Sequence, residues 1–407
     1  MSWLLRNNEV KKAQVKRNLL LYLEAPSNGG VSRVVELIAE RGRERFGICV
    51  VASRTPDLAD SINNLRNKDI DVRESALRGR FLLPGWIHVP RFARLYSLFR
   101  GADIIHFHLH TPFSCMAAIL LASVVARKLI ITTEHYVTQL KFLRRRKLPF
   151  PLGAVREIRI AFLLFVKRIT LHHIDRIVLV SSSNESFFLS TFGHRLSEKT
   201  LTIPNGIKAE DFEQIQAAGF LKEQAGGQFF VTVVAGLNNQ KGHEYLIRAI
   251  PVIKRRIPNV KFVFVGEGHL RRHLETLARQ LDVVGDIIFA GWRKDIPNVL
   301  AASDIFVLPS LFEGMPLSVL EAMATGLPVV ATDVDGTADV VQNGSTGFLI
   351  PPKDSGMLAG KICELLLDAR KRKEFGLKGR ARVVQNYTVE RMCNGYLSLY
   401  DSLLGPS

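Results

Sequence analysis

Two glutamates separated by seven residues carry the clearest chemical pattern in this sequence. Glu313 follows the apolar run Ile305–Leu308, and Glu321 stands in the apolar stretch after Pro316. Proline favours the first turn of a helix, so we predict a helix that carries Glu321 roughly 7–8 Å along its axis. Two carboxylates held that far apart can bind two separate diol groups of one extended ligand.

The main chain between these glutamates predicts an anion site. A helix N-terminus has free N–H groups that favour phosphate, and residues 314–318 would supply them. One alternative is that Glu313 is an ordinary solvated loop residue. The corresponding alternative for Glu321 is an ordinary surface position on a helix. It fits less well, because the neighbours of Glu321 on the helix are nearly all apolar and a carboxylate there usually has a partner.

Lysine and glycine occupy two further loops between strand-like and helix-like segments. Lys241 stands near the end of residues 234–242, where a cation can bind a diphosphate and stabilise the charge of a leaving group. Gly29 and Gly30 are adjacent in residues 26–31, where glycine lets the main chain approach a ligand closely. A surface lysine and a plain turn are the alternatives for these two loops.

Histidines follow two of the apolar runs in the first half. His106, His108 and His110 alternate, which places them on one face of a strand, and such a set could bind zinc. No carboxylate or cysteine ligand stands close to them in the sequence, so we favour a role in lining a cleft. His135 ends the next long run and is either a cleft residue or a core histidine. We interpret the Asp-x-Asp triplets at 69–71 and 333–335 as structural and expect no metal requirement.

These residues are positioned by short apolar runs that alternate with amphipathic stretches along the whole chain. The alternation predicts an α/β fold of two doubly wound, Rossmann-like domains, each with a parallel sheet, and a ligand in the cleft between them. We predict domains at 1–203 and 204–385 and a C-terminal helix at 386–407, whose packing side stays open. The predicted strands are 19–23, 47–52, 104–107, 129–133 and 176–180, then 229–235, 261–265, 286–290, 304–308 and 328–332.

The composition is that of a globular protein. The 407 residues are 47% hydrophobic and 23% charged, which excludes a disordered, collagen-like or coiled-coil chain. The four cysteines form no closely spaced pair, which argues against a disulfide framework or a cysteine zinc site and fits a reducing cytosol. No apolar run approaches the roughly 18 residues that a membrane-spanning helix needs.

Charge is distributed unevenly between the two halves. Residues 1–203 contain 32 Lys and Arg against 16 Asp and Glu, a net charge of +16, whereas residues 204–407 contain 23 against 22, a net charge of +1. Such a basic half suits anionic lipid headgroups or nucleic acid. Its most basic segment interleaves cations with Phe and Leu, and these cations are Lys141, Arg144, Arg145, Arg146 and Lys147.

We interpret this basic segment as a membrane or acceptor patch. Clustered cations with large apolar groups are what an interfacial patch on anionic lipid needs, at about 1 kcal/mol per cation near the surface. No recognised nucleic-acid-binding fold accompanies the charge, so we expect no nucleic acid partner. The apolar stretch 154–168 that follows is interpreted as ordinary core packing.

The frame around the two glutamates resembles a known family. Glu313 and Glu321 stand in FEGMPLSVLEAMATGLPVV at 312–330, which is similar to the signature of group 1 (family 4) retaining glycosyltransferases. Segments at 203–207, 265–268, 290–292, 302–304 and 343–349 stand in the order of that family as well. The resemblance covers nearly all of residues 200–390 and is sparse over the first half. It implies a GT-B fold, a nucleotide-sugar donor held mainly by the second domain, and transfer with retention of anomeric configuration. We expect no cofactor.

The resemblance also implies roles for single residues, with a nucleoside-diphosphate sugar of the UDP or GDP type as the donor. Glu321 would bind the donor ribose, while His135 and Glu313 would be the catalytic residues that contact the transferred sugar. Lys241 would stabilise the leaving diphosphate. Further donor-binding positions implied by the family are Gly29, Gly30, Gly266, Arg293, Gly314, Met315, Pro316 and Leu317.

Two positions depart from the family pattern. Gly236 stands where the family commonly has an arginine that cooperates with the lysine, so Arg33 or Arg293 compensates or leaving-group stabilisation is weaker. Asp339 replaces the glutamate that is usual in the family, which leaves the role of its loop open.

The resulting hypothesis is a cytoplasmic glycosyltransferase associated peripherally with the inner face of a membrane. It would transfer a sugar to a lipid-linked or oligosaccharide acceptor in bacterial-type surface polysaccharide or glycolipid synthesis. Two alternatives remain. A GT-B nucleotide-sugar epimerase would turn over the donor without an acceptor, and a non-catalytic binding protein would bind nucleotide weakly or not at all.

Overall fold

The structure is a computed structural model, and it describes residues 16–24, 29–53, 55, 58–75, 89–141, 152–213, 215–222 and 226–405. Within these residues, seven parallel strands form a first sheet in the order β3-β2-β1-β4-β5-β6-β7. The strands are β1 (Asn18–Glu24), β2 (Gly47–Ser53), β3 (Asp71–Ser75), β4 (Ile104–Leu109), β5 (Leu129–Glu134), β6 (Arg176–Leu179) and β7 (Thr200–Thr202).

A second parallel sheet follows along the chain. In the described residues it has six strands in the order β10-β9-β8-β11-β12-β13. The strands are β8 (Phe229–Val234), β9 (Val260–Val265), β10 (Ile287–Gly291), β11 (Ile305–Leu308), β12 (Val329–Thr332) and β13 (Gly347–Ile350). The two doubly wound parallel sheets that the sequence predicts are thereby confirmed, and each predicted strand is present.

Helices connect and cover the strands of both sheets. In the first half they are α1 (Gly30–Gly42), α2 (Ala59–Arg66), α3 (Val89–Arg100), α4 (Met116–Leu120), α5 (Leu152–His172) and α6 (Ser182–Phe192). In the second they are α7 (Gly219–Lys222), α8 (His243–Arg256), α9 (Arg271–Gln280), α10 (Ile296–Ala301), α11 (Leu317–Ala324), α12 (Asp335–Val340), α13 (Ser355–Leu367), α14 (Ala369–Asn386) and α15 (Val389–Leu404).

The strand order of each sheet reverses at one point, and these points locate the site. The reversal lies between β1 and β4 in the first sheet and between β8 and β11 in the second. Ligands of open α/β sheets bind beyond the carboxyl ends of the strands at such a switch point. The loops that leave β1, β8 and β11 carry Gly29, Lys241 and Glu313, so the residues singled out in the sequence lie at these edges.

The C-terminal helix α15 packs against α1 of the first half, which answers the question that the sequence left open. Tyr396 and Tyr400 of α15 are fully buried. The Cys393 thiol donates to the Leu37 carbonyl of α1 at 3.5 Å, and ion pairs join Arg41 to Glu390 and Arg45 to Asp401. The chain therefore returns to the first sheet after completing the second.

The interpretation of residues 154–168 as ordinary core packing is wrong. They belong to α5, and the side chains of Phe162 and Phe165 are 53% and 61% exposed. The inner face of α5 is made instead by Ile160, Lys167 and Leu171, all of which are buried. Since the helix has apolar side chains on two opposite faces, one of these faces stays outside after the inner face has packed.

Candidate functional site

The loop after β11 lies directly against the end of β5. A Cβ atom on Gly314 would stand 1.8 Å from the main-chain oxygen of His135, so this contact requires glycine. Gly336 is equally constrained, because its Cβ atom would stand 1.5 Å from the Gly314 oxygen. The structure thus brings Glu313 and His135, which are far apart in the sequence, to neighbouring positions.

Glu313, which is buried, forms an ion pair at this junction with Lys241, which is partly buried. The Glu313 carboxylate accepts hydrogen bonds from Lys241 Nζ at 2.6 Å and from Ser310 Oγ at 2.6 Å. Burial favours the neutral amine of Lys241, but the adjoining Glu313 carboxylate outweighs it and raises the lysine pKa above its ordinary value. The lysine is therefore held as a cation at this junction.

The main chain around Glu313 is fixed by three side chains from other parts of the chain. Thr138 Oγ1 donates to the Glu313 carbonyl at 3.2 Å, and Asn184 Nδ2 donates to the Gly314 carbonyl at 3.0 Å. Asn205 Nδ2 donates to the Met315 carbonyl at 2.9 Å. With three successive carbonyls bound in this way, the loop is held in one conformation.

The N–H groups of the same loop remain available for a ligand. Among the described residues, no hydrogen-bond acceptor is present for the main-chain N–H of Gly314 or Met315. Pro316 has no N–H, and Leu317 begins α11, so its N–H is one of the free donors at the helix N-terminus. This arrangement can bind an anion with main-chain donors, as the sequence predicts.

Glu321 lies on α11, and its side-chain carboxylate has no hydrogen-bond partner in the described part of the chain. Burial raises the pKa of its carboxyl group to about 7, and the nearby Arg33 guanidinium of α1 opposes this shift. A partly desolvated carboxylate with free acceptor oxygens is suited to the two hydroxyl groups of a ribose. The partner expected for this carboxylate is therefore absent from the described residues, which agrees with a ligand-binding role.

We expect donor affinity to depend on pH through Glu321. Ionisation of this group in the free protein is incomplete below about pH 7, and the ionised form offers more acceptors to a diol. Affinity for a nucleotide sugar should therefore fall about tenfold between pH 8 and pH 6. Isothermal titration with the nucleotide sugar measures this affinity at each pH. The diphosphate diester of the ligand does not titrate between pH 6 and pH 8, so the change in affinity reports on the protein. Glu321→Gln should abolish the pH dependence, and a variant with unchanged dependence would contradict it.

His135 lies in a cluster of buried histidines at the ends of β4 and β5. Its Nε2 is 3.3 Å from Nδ1 of His108, and the two rings stack. Burial lowers the pKa of both imidazoles well below the ordinary value, and neighbouring histidines add to the effect, His106 at His108 and both His108 and His110 at His135. His135 is thus a neutral imidazole that can exchange hydrogen bonds with a sugar hydroxyl and adds no charge.

The ring nitrogens of His106 are both used within the protein. Nδ1 is 2.7 Å from the Tyr400 hydroxyl of α15, and Nε2 is 2.8 Å from Thr133 Oγ1. Burial lowers the pKa of His106 to about 3. These contacts occupy the nitrogens that a zinc site at His106 would need, while metal independence itself stays a prediction.

The remaining donor-binding positions have different surroundings. Gly29 precedes α1, and a Cβ atom on Gly30 would contact the Leu317 side chain at 3.6 Å, so this turn lies next to α11. Gly266 has φ +141°, and its Cβ atom would stand 2.2 Å from the Ala235 oxygen, so strand packing already requires glycine there. Their roles toward a ligand stay predictions.

Arg293 is held by its own loop. Its guanidinium makes a bidentate pair with Asp295 at 2.8 and 2.7 Å and lies over the Phe220 ring at 4.4 Å. Its side chain is therefore engaged, which argues against Arg293 as the substitute for the arginine that is missing at position 236. Donor binding by the main chain at Arg293 stays a prediction.

We expect Gly236→Arg to be tolerated and to raise activity. A Cβ atom at position 236 would meet only Asn238 Nδ2 and the Glu267 oxygen, both at an ordinary 3.6 Å. Arginine would add a second cation at the Lys241 loop, so kcat for sugar transfer should rise about tenfold where leaving-group departure limits the rate. Gly236→Met is the matched control with similar bulk and no charge. Equal kcat values for the two variants would contradict this prediction.

Lys141 and Asp339 join the two halves beside the site. Lys141 Nζ donates to the Asp335 carboxylate at 2.7 Å and lies over the Phe187 ring at 4.5 Å. The Asp339 carboxylate accepts from Ser182 Oγ at 2.8 Å and from the Ser183 N–H at 3.2 Å, at the N-terminus of α6. Lys141 is therefore occupied in a contact between the halves. The other patch residues, Arg144, Arg145, Arg146 and Lys147, lie outside the described residues.

Sequence reasoning missed the side chains that hold the Glu313 loop. Thr138 and Asn184 carry no local signal, because their partners lie 175 and 130 residues away. Asn205 stands in a Pro-Asn-Gly segment that was noted for its resemblance, without a role assigned to it. Only the folded structure shows that these three side chains hold the Glu313 loop.

Two facing α/β sheets with a candidate anion site at their switch points define the GT-B class of glycosyltransferase folds. A solved structure, Anabaena Alr3699/HepE in complex with UDP and glucose, superposes with a TM-score of 0.78. It is 21% identical in sequence, and the superposition covers 95% of this chain and 100% of that chain. The GT-B fold implied by the resemblance is confirmed.

Family models match consecutive parts of the chain. Residues 28–211 match "Glycosyltransferase Family 4", and residues 219–382 match "Glycosyl transferases group 1". The chain belongs to this family of glycosyltransferases, as the signature around Glu313 and Glu321 predicts.

Curated relatives are similar over part of their length. UDP-Gal:alpha-D-GlcNAc-diphosphoundecaprenol alpha-1,3-galactosyltransferase of Escherichia coli is 41% identical over 163 residues, 38% of this chain and 42% of that protein. GDP-mannose-dependent alpha-(1-6)-phosphatidylinositol monomannoside mannosyltransferase of Mycolicibacterium smegmatis is 30% identical over 225 residues, 52% of this chain and 58% of that protein. The chain thus spans about half the length of the curated relatives it matches.

Proposed function

We propose that this protein is a retaining glycosyltransferase that moves a sugar from a nucleoside diphosphate to a lipid-linked or saccharide acceptor. The observation that carries the proposal is the Lys241–Glu313 ion pair, which lies against His135 and beside the free N–H groups of Gly314 and Met315. A cation, main-chain donors and two sugar-facing side chains then converge on one place. Since the proposed acceptor is a lipid-linked molecule or a saccharide, we also propose a role in the synthesis of a surface polysaccharide or a glycolipid.

The proposed mechanism is a front-face displacement. As the bond between the sugar and the diphosphate breaks, negative charge develops on the leaving oxygen, and Lys241 and the main-chain donors stabilise it. The leaving diphosphate itself takes the proton of the attacking acceptor hydroxyl, and the new bond forms on the same face of the sugar. Glu313 and His135 hold the sugar through its hydroxyl groups. Closure of the two halves would limit hydrolysis by excluding water.

The donor and the acceptor are proposed from chemistry and from the relatives. Lys241 and the N–H groups offer the diphosphate a positive site made of protein groups, which supports transfer without a metal ion. One relative is named for UDP-Gal and the other for GDP-mannose, so a UDP or GDP sugar is the proposed donor. Both relatives are also named for acceptors that carry a lipid, which supports a lipid-linked acceptor for this chain.

The proposed location is the cytoplasmic side of a membrane, with peripheral association. Support comes from the net charge of +16 in the first 203 residues, which favours an anionic lipid surface. Among the helices that the structure describes, none combines the length and apolar character needed to cross a bilayer.

Thermal unfolding with a panel of nucleoside diphosphates and their sugars tests the proposed donor site. Wild type should be stabilised selectively by one base, with or without EDTA, and Glu321→Ala should lose that stabilisation. An EDTA-sensitive shift would overturn metal independence. No shift with any nucleotide would favour a non-catalytic protein on this fold, whereas conversion of the donor without an acceptor would favour an epimerase.

A further inference from the structure

Helix α5 presents a continuous apolar stripe to the outside of the first half. The side chains of this stripe are spaced by three, four, three and four residues, which places them along one face of the helix. Each is between 40% and 71% exposed. The stripe consists of Val155, Ile158, Phe162, Phe165 and Ile169.

The opposite face of α5 is fastened to the strand that leads into the site. Lys167 Nζ is fully buried and pairs with the Glu134 carboxylate at the end of β5. His135 follows Glu134 directly in the chain. The stripe therefore has a fixed position relative to the site, because α5 and β5 share a buried ion pair.

The charges on α5 favour an anionic partner. Its sequence holds four cations, of which Lys167 is buried, and one acidic residue. That acidic residue, Glu157, is paired with Arg156. Arg159 and Arg168 are exposed and form no ion pair with a described residue. A second copy packed stripe against stripe would bring these cations together, whereas anionic lipid headgroups would neutralise them.

We infer that α5 lies in the plane of an anionic lipid bilayer, with its five-residue stripe at the boundary between headgroups and acyl chains. An amphipathic helix in this position buries its apolar face about 5–10 Å deep and keeps its cations at the headgroup level. The inference rests on the proposed function in one respect, because a lipid-linked acceptor would enter from that surface. It differs from the basic-segment patch in placing the main contact on the apolar face of α5.

Vesicle sedimentation tests the inference without any enzymatic readout. Full-length wild type should bind phosphatidylcholine vesicles that contain phosphatidylglycerol, and Phe162→Ser/Phe165→Ser should bind them more than tenfold more weakly. Leu367→Ser/Leu377→Ser is the matched control, since it removes two exposed leucines from the second half and should bind like wild type. Arg159→Gln/Arg168→Gln should weaken binding to the anionic vesicles and leave residual binding to phosphatidylcholine alone unchanged.

Several outcomes would overturn the inference. The first is that wild type does not bind vesicles, and the second is that the control variant loses as much vesicle binding as Phe162→Ser/Phe165→Ser. The third is that wild type is a dimer in solution that does not bind vesicles and that Phe162→Ser/Phe165→Ser dissociates. Nucleotide-induced thermal stabilisation, measured on the same samples, separates this inference from the proposed function. A variant that no longer binds vesicles but is still stabilised by nucleotide has lost only the membrane-binding surface. A wild type that binds vesicles without responding to nucleotide would instead contradict the donor site.

Discussion

Glu313→Gln is expected to lower kcat for sugar transfer by about 10²–10³-fold while nucleotide affinity changes little. The carboxylate is buried and accepts hydrogen bonds from Lys241 and Ser310, so it fixes the cation that we propose stabilises the leaving group. An amide keeps the shape and the bond from Ser310 but removes the charge that holds Lys241 in place. Losing one preorganised electrostatic contact in a closed site has an effect of this size. Steady-state rates at saturating donor measure it.

The matched control for this variant is Glu267→Gln. Glu267 lies in the same half, and its carboxylate is exposed and paired with Arg271, so kcat should remain at the wild-type value. Thermal unfolding of both variants confirms that each is folded. A Glu313→Gln protein with a normal kcat would contradict the assigned role. A loss confined to KM would assign Glu313 to ground-state binding of the donor.

Lys167→Met is expected to have the largest effect on stability, a loss of about 3–5 kcal/mol in the free energy of unfolding. The Lys167–Glu134 pair is fully buried between α5 and β5, so removing the lysine leaves a buried carboxylate without compensation. Burial already raises the pKa of Glu134, and Lys167 is what opposes that shift. Urea denaturation of the two proteins measures the loss.

The pH dependence of this loss has a definite sign. Without Lys167, the Glu134 pKa in the folded state rises further above its unfolded value. The variant should therefore be closest to wild type in mildly acidic buffer and should lose stability as pH rises. Arg168→Met, the exposed neighbour, should cost little, and Lys167→Met/Glu134→Leu should recover most of the loss. A single variant as stable as wild type at pH 8 would show that the pair contributes nothing.

Much of the fold could be predicted because its central strands are continuous apolar runs. The strands that went unpredicted are β3, β7 and β13, and all three lie at sheet edges. Each residue of β3 and β7 is at least partly exposed, so neither has the apolar run that marks a buried strand. β13 is mostly buried, and residues 347–349 of this strand were noted in the sequence only for their resemblance to the family.

The candidate site was predictable where chemistry and sequence motif coincide. Glu313 and Lys241 lie in glycine-containing loops after strands, and Glu321 is a carboxylate on an apolar helix that follows one of these loops. The supports Thr138, Asn184 and Asn205 were not predictable as such, because hydrogen bonds across a hundred residues or more leave no local pattern. The face of α5 was misjudged for a related reason. When a helix has apolar residues on more than one face, its sequence does not indicate which face the rest of the domain will cover.

Release of nucleoside diphosphate, measured with and without a lipid-linked saccharide acceptor, most directly tests whether this site transfers sugar. With the nucleotide sugar that stabilises the protein, we predict release that depends on the acceptor and falls by at least about a hundredfold in Glu313→Gln. The product, examined by NMR, should carry the anomeric configuration of the donor. Donor consumption without nucleoside diphosphate release, or an inverted product, would contradict the proposed retaining transfer.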